Sequence, residues 1–246
     1  MRSFLSMIVL SLSVFCSCKK SGDKLDKSVY IEEEDLFSFA QKDRIQQGFV
    51  LNQKEDVTPY KISTNNTASR FFGNFDEADT IAFVLDFSGS MDGERVDILK
   101  RELASCLKSL NSEVSYSVIN FSDTGWFLGK QKGWVRATTQ NVKKTIKSLE
   151  NQYVGGGTEW KSGFKIAFSL NPRPEVIYFM TDGETNSDMT DEVDSITHQN
   201  QSHFYPSRIH TTALVQKGLS QPLIRLAAKN EGQFTWVNAQ GEVTKK

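Results

Sequence analysis

Two short apolar runs constrain the fold of this chain more than any other feature. Residues 81–85 read Ile-Ala-Phe-Val-Leu, and residues 176–180 read Val-Ile-Tyr-Phe-Met, so neither run contains a charged side chain. Apolar runs of this length are typical of strands that are buried on both faces of a parallel sheet. Because such strands need cover on two sides, we expect helices to alternate with them along the chain.

The segments around these runs fulfil that expectation. After the first run, apolar residues recur at spacings of three and four, which predicts an amphipathic helix: Val96, Leu99, Leu103, Leu107 and Leu110. Similar patterns predict helices that begin near Thr139, Thr158 and Ser220, further strands at 116–121, 209–215 and 234–237, and a short hairpin from 126–128 and 134–137. We therefore predict an α/β fold with a doubly wound, mostly parallel sheet and helices on both faces.

The charge balance of the chain argues against nucleic-acid binding and against membrane binding through basic side chains. Among 246 residues, 29 are Lys or Arg and 30 are Asp or Glu, which gives a net charge of -1. Nucleic-acid-binding proteins and polybasic membrane-binding segments carry a clear excess of positive charge. We therefore expect neither a nucleic-acid partner nor a membrane contact made through basic side chains.

The first residues are typical of an export signal rather than of a folded domain. Arg2 precedes an uncharged apolar segment at residues 4–15, which is too short to span a bilayer as a permanent helix. The segment ends at Ser17 and Cys18, which resemble the lipobox of bacterial lipoproteins. The resemblance implies a signal peptide at residues 1–17, lipidation of Cys18, and a membrane anchor in the bacterial cell envelope facing the periplasm or the exterior. A simple cleaved signal and an uncleaved anchor are the alternatives.

A polar region separates this signal from the orderly part of the chain. Residues 18–74 are mixed and polar, with an acidic run at 32–35 and one weak helical face formed by Leu36, Phe37, Phe39 and Ile45, so we predict a tether with one short helix. Farther along, Cys106 lies in an apolar helical pattern and would have no disulfide partner after processing. We expect it to be a buried small side chain.

Polar residues follow both apolar runs, at the points where the predicted strands end. Asp86, Ser88 and Ser90 follow the first, and Thr181-Asp182-Gly183 follows the second. Between them, three glycines lead into Thr158 at the start of a predicted helix. Carboxyl ends of parallel strands share one sheet edge, where ligands bind in this fold class. Hydroxyl and carboxylate oxygens without a soft ligand suit a hard cation such as Mg²⁺.

The order of these residues resembles the von Willebrand factor type A domain over residues 75–246. The resemblance is carried by Asp-x-Ser-x-Ser, a distant Thr, and Thr-Asp-Gly after a buried strand. It implies a metal-ion-dependent adhesion site for Mg²⁺ or Mn²⁺, in which Ser88 and Ser90 ligate the ion directly, Thr158 does so when a ligand is bound, and Asp86 and Asp182 act directly or through water. It also implies an open coordination position for an acidic residue of a partner protein, with no small-molecule substrate.

Enzyme motifs are missing from the sequence. There is no Gly-x-Ser-x-Gly, the glycine run lacks a following Lys-Ser or Lys-Thr, and the three histidines have no zinc spacing. His198, His203 and His210 are instead expected to be exposed or loosely packed. We predict a cation-dependent protein-binding module without enzyme activity; the alternatives are a scaffold with an unused metal site and a metal-dependent hydrolase.

Several neighbours of the motif residues also have expected roles. Met91 is expected to pack in the interior, and Glu159 and Glu184 are expected to be charges at the rim of the site. Trp126 or Trp160 would exclude water from a partner contact if it lay at that rim, and either would otherwise belong to the core. The segment from Asp182 to Ile209 is long and polar, which departs from the family pattern, so the family's partners are not inferred for this chain.

Overall fold

The computed structural model describes residues 68–130, 132–183, 189–214 and 220–245, and all elements named here belong to that part of the chain. The strands are β1 (Ala68–Phe71), β2 (Asn74–Glu77), β3 (Thr80–Asp86), β4 (Ser115–Phe121), β5 (Gly125–Phe127), β6 (Val135–Arg136), β7 (Val176–Thr181), β8 (Arg208–Leu214), β9 (Phe234–Val237) and β10 (Val243–Lys245). The helices are α1 (Glu94–Ser109), α2 (Thr139–Glu150), α3 (Trp160–Phe168), α4 (Met189–Gln201) and α5 (Ser220–Lys229), with a 3₁₀ turn at Gly89–Met91.

The main sheet has the strand order β10-β9-β8-β7-β3-β4-β5, with β6 also paired to β4, in the described residues. Strands β3, β4, β7, β8 and β9 run parallel, and β5, β6 and β10 run antiparallel to their neighbours. After β4 the chain crosses β3 and continues with β7 on the other side. The carboxyl end of β3 is therefore the switch point of the sheet, where ligands bind in doubly wound folds.

The two faces of the sheet carry separate apolar cores. Ile81, Phe83 and Leu85 of β3 pack with α1 and α2 on one face, whereas Ala82 and Val84 pack with α3, α4 and α5 on the other. This alternation follows from the pleat of the strand, because successive side chains point to opposite faces. The predicted doubly wound α/β class is confirmed, and so are the buried positions of Met91 and Cys106. Burial raises the pKa of the Cys106 thiol to about 12.

The predicted hairpin of residues 126–128 and 134–137 is wrong. Strands β5 and β6 do not pair with each other, since each pairs antiparallel with a different part of β4. Strand β4 lies at an edge of the parallel region, and both short strands cover its unpaired backbone groups. The local sequence could not reveal this, because a strand next to a turn has the same pattern whether it pairs with its neighbour or with a distant edge.

Besides the last strand, β10, the hairpin β1–β2 and helix α4 were not predicted from the sequence. The hairpin β1–β2 includes residues 68–74, which the sequence analysis had placed in the tether, and Phe71 in it is fully buried. Helix α4 occupies the polar segment before β8, where Val193 and Ile196 are the apolar side chains it buries. Two buried apolar residues are too few to stand out as a helical period, so packing against the sheet decides this helix.

Asp76 connects the hairpin to the amino edge of the sheet. Its Oδ2 accepts hydrogen bonds from Arg208 Nε at 2.7 Å and from His210 Nε2 at 2.9 Å. The backbone N–H of Gln233 donates to His210 Nδ1 at 3.0 Å, so the ring proton lies on Nε2. Burial opposes ionisation of Asp76, but the hydrogen bonds from His210 and Arg208 outweigh it and lower its pKa to about 2. The expectation that His210 is exposed or loosely packed is therefore wrong, because it is 2% exposed.

The signal peptide at residues 1–17, Cys18 and the tether up to residue 67 lie outside the described residues. Among the helices that the structure does describe, none combines the length and the apolar character needed to cross a bilayer.

Candidate metal site

The first part of the site is the loop that leaves β3. Asp86 is fully buried, and its two carboxylate oxygens accept hydrogen bonds from the Ser88 backbone N–H at 2.8 Å and from Thr181 Oγ1 at 2.5 Å. A 3₁₀ turn then reverses the chain and brings Ser88 Oγ within 3.2 Å of Ser90 Oγ. This turn places two hydroxyls beside a buried carboxylate.

The second part is the glycine-rich loop that carries Thr158. The backbone N–H of Gly89 donates to Gly156 O at 3.0 Å, and that of Gly155 donates to Phe87 O at 2.9 Å, so the two loops are tied at both ends. Gly156 has φ of 81° and lies against the carboxylate of Asp123, where a Cβ would collide. Thr158 itself is 5% exposed. The glycines therefore serve close backbone approach, which places the threonine next to the loop of Asp86.

The third part is Asp182, which directly follows β7 and is fully buried. Its Oδ2 accepts a hydrogen bond from Arg95 Nη1 at 2.7 Å, and the same nitrogen donates to the backbone O of Ser90 at 2.7 Å. Arg95 lies in the first turn of α1 and was not singled out by the sequence, because an arginine at a helix start is ordinarily a solvated side chain. Thr181 was also missed as a partner of Asp86, although it directly precedes the motif aspartate.

The electrostatics of Asp86 favour a cation nearby. Burial raises its pKa to about 7, the hydrogen bonds from Ser88 and Thr181 oppose that increase, and the negative charge of Asp182 adds to it. An ionised Asp86 is thus costly in the metal-free protein, and a cation beside it would relieve that cost.

The residues present fit a magnesium or manganese ion. Octahedral Mg²⁺ holds its oxygen ligands at about 2.0–2.1 Å, which puts adjacent ligands about 2.9 Å apart. The separation of 3.2 Å between Ser88 Oγ and Ser90 Oγ is close to that value. In the described ranges no group of three or more His, Cys, Asp or Glu side chains is placed to hold a metal ion. A metal at this edge would therefore depend on hydroxyl ligands.

The structure decides between the rim and core alternatives that the sequence left open for Trp160. Trp160 is fully buried and stacks edge-on against Phe179 with ring centroids 5.1 Å apart, so it belongs to the core. Trp126 is partly buried, and its Nε1 donates to Gln152 Oε1 at 3.2 Å. Tyr153, which directly precedes Val154 and the glycine-rich loop, is 90% exposed. Glu159 is partly exposed near Lys161, and Glu184 lies outside the described residues.

A doubly wound α/β domain that gathers hydroxyls and carboxylates at its switch point defines a class of protein. Residues 79–235 match the family model of the von Willebrand factor type A domain, which covers more than half of the chain. The chain belongs to this family. Domains of the family often mediate protein–protein interactions.

Individual relatives agree with this assignment. The human inter-alpha-trypsin inhibitor heavy chain H6 is 30% identical over 125 residues, which are 45% of this chain and 9% of the relative. A von Willebrand factor A domain-containing protein of Dictyostelium discoideum is 29% identical over 129 residues, 50% of this chain and 14% of the relative. The chain thus spans less than a fifth of the length of either relative.

A solved structure shows the same fold. The von Willebrand factor type A protein from Catenulispora acidiphila superimposes with a TM-score of 0.59 at 12% sequence identity, covering 73% of this chain and 48% of that one.

Proposed function

We propose that this domain is a divalent-cation-dependent protein-binding module that holds Mg²⁺ or Mn²⁺ through Asp86, Ser88, Ser90, Thr158 and Asp182. The observation that carries the proposal is the buried Asp86 carboxylate beside two hydroxyl oxygens 3.2 Å apart at the switch point of the sheet. Family membership supports it, because the order of these five residues is that of the adhesion site.

The charge of the site suggests which partner chemistry completes it. Ser88, Ser90 and Thr158 offer neutral oxygens, and the Asp182 carboxylate already shares an ion pair with Arg95. A divalent ion held by these groups keeps positive charge on its open side. A carboxylate of a partner protein can replace a water there and make a charge-assisted contact, so we propose an acidic residue as the central contact.

The exposed rim suggests a second contact. Tyr153 is 90% exposed on the loop that is hydrogen-bonded to the loop of Asp86. Tyrosine is enriched among the residues that dominate binding energy. It buries a large contact area at a small entropic cost. Tyr205 is 66% exposed in the segment before β8, at the amino edge of the sheet, and it provides a matched aromatic residue away from the site.

The test first selects displayed peptides that bind the immobilised protein in the presence of Mg²⁺. Each selected peptide is then synthesised as a set of variants, in which one Asp or Glu at a time is changed to Asn or Gln. We expect binding to disappear with EDTA and to depend on one acidic residue. Tyr153→Ala should weaken binding by roughly 30-fold, a typical loss for an interface hot spot, whereas Tyr205→Ala should leave it unchanged. Selected peptides that bind equally well in EDTA would contradict the proposal.

We propose binding rather than catalysis at this site. The Ser88 and Ser90 hydroxyls lie beside each other, and the buried histidine, His210, is engaged by Asp76 at the opposite edge of the sheet. A serine nucleophile needs an adjacent base to be activated. Turnover in a phosphatase, esterase or protease screen that Asp86→Ala abolished would instead favour the hydrolase alternative.

We also propose that Cys18 carries a lipid anchor that holds the protein in the bacterial envelope. The supporting observation is the apolar segment that ends at Ser17-Cys18. Acyl chains contribute about 0.8 kcal/mol per buried CH₂, so a multiply acylated chain stays in the membrane fraction. Cys18→Ala should move the protein to the soluble fraction or leave its signal peptide uncleaved, with Cys106→Ala as the matched control. A Cys18→Ala variant with the parent's mass and fractionation would show that the anchor lies elsewhere.

A further inference from the structure

We propose that Arg95 is a built-in counter-cation of the metal site: its guanidinium neutralises Asp182, so that a divalent ion bound there is held weakly and keeps a net positive charge. This inference rests on the proposed metal-binding function and adds a residue that lies outside the five motif positions. The observation behind it is the position of Arg95 Nη1, which lies 2.7 Å from Asp182 Oδ2 and 2.7 Å from the Ser90 backbone O.

Arg95 does not stabilise the helix to which it belongs. It is the second residue of α1, and the N-terminal end of a helix carries positive partial charge, which makes a cation there unfavourable. Its side chain is nevertheless 24% exposed and directed to a fully buried carboxylate instead of into solvent. The ion pair with Asp182 therefore has to outweigh both the helix dipole and the desolvation of the guanidinium.

The contact also connects two strand ends. Ser90 belongs to the loop after β3, and Asp182 follows β7, so one guanidinium links the carbonyl of the first loop to the carboxylate of the second. This contact ties the two loops together through protein groups alone.

The charges of the site give the direction of the effect on metal binding. Asp86 and Asp182 contribute two negative charges when ionised, and Arg95 contributes one positive charge. A divalent ion bound to this set leaves one net positive charge, whereas the same ion without Arg95 would be neutralised. Arg95 therefore lowers the affinity of the site for the metal ion. It also strengthens the attraction between the metal-loaded site and a carboxylate of a partner protein.

The experiment compares the purified protein with Arg95→Met, Arg95→Lys and Arg101→Met. Methionine keeps the length of the aliphatic stem without charge, lysine keeps the charge, and Arg101 is an exposed arginine of the same helix. Mn²⁺ affinity is measured by calorimetry. We expect Arg95→Met to bind Mn²⁺ roughly tenfold more tightly, because the repulsion between the guanidinium and the bound ion is removed. The other two variants should keep an affinity near that of the parent.

A second readout does not depend on metal binding. In EDTA, Arg95→Met should lower the melting temperature by roughly 6 °C, because the buried Asp182 loses its ion pair. Adding Asp182→Asn to Arg95→Met should recover most of that loss, since the buried carboxylate charge is then gone. Arg101→Met should melt like the parent.

The outcomes separate this inference from the proposed function. Metal binding in the parent with equal or weaker affinity in Arg95→Met overturns the counter-cation role and leaves the metal site standing. Binding in Arg95→Met alone supports the counter-cation role and refutes cation-dependent function in the parent. Absence of binding in both overturns the metal site and this inference together.

Discussion

Replacing Asp86 and Ser88 together by alanine is expected to weaken Mn²⁺ binding by at least about 100-fold, since changes even to residues behind metal ligands cost 10–100-fold. The pair removes the carboxylate and one of the two hydroxyls that lie 3.2 Å apart. Calorimetric titration of the purified protein measures the loss, and circular dichroism checks that the fold is kept.

The double variant should remain folded because two effects oppose each other. Thr181 Oγ1 and the Ser88 N–H lose their acceptor on Asp86, which costs stability. The variant also removes a buried carboxylate whose pKa burial has raised to about 7, so at pH 7.5 an unfavourable charge disappears from the metal-free protein. We therefore expect the melting temperatures in EDTA to differ by a few degrees at most.

Asp92→Ala is the matched control for this prediction. Asp92 is an exposed carboxylate in the same loop, just after the 3₁₀ turn, so its removal takes away equal charge without touching the proposed ligands. Its Mn²⁺ affinity should stay within about threefold of the parent, as expected for a screened surface charge. Unchanged binding in the double variant, or an equal loss in Asp92→Ala, would place the metal elsewhere.

Trp160→Ala is expected to destabilise the domain by about 4 kcal/mol, which is the usual cost of truncating a fully buried aromatic side chain. Trp160 opens α3 and packs edge-on against Phe179 of the central strand β7. Thermal and denaturant unfolding measure the loss, and the melting temperature should fall by about 8–16 °C for a domain of this size.

Trp134→Ala provides a comparison within the same residue type. Trp134 is partly buried, and its indole N–H donates to Pro172 O at 3.0 Å near the surface. Its removal should cost about 1 kcal/mol, since it removes one hydrogen bond and modest contact area. A Trp160→Ala variant as stable as Trp134→Ala would mean that Trp160 is a surface residue, as one of the two sequence alternatives had it.

Those residues of the candidate metal site that directly follow a predicted strand could be identified from the sequence. The apolar runs at 81–85 and 176–180 define two central strands, and Asp86 and Asp182 follow them directly, so both carboxylates had to meet at one sheet edge. Thr158 could be added because a glycine run before a helix indicates close backbone approach. Their role as metal ligands remains a prediction.

Contacts between distant segments could not be predicted in the same way. Arg95 and Asp182 lie 87 positions apart in the chain, and nothing in the local pattern of α1 distinguishes Arg95 from a solvated arginine. Helix α4 was missed because it buries few apolar residues, and β6 was assigned to the wrong partner because an edge of β4 was open.

The sequence by itself determined the alternation of strands and helices, the doubly wound class and the five motif positions, because these depend on apolar periodicity and on the residues at strand ends. The tertiary structure alone decided which tryptophan is core, which aromatic residue reaches solvent at the rim, and which arginine faces the buried aspartate. The physical reason is that burial and ion pairing are properties of surfaces brought together by folding, and a single segment does not contain the surface that will cover it.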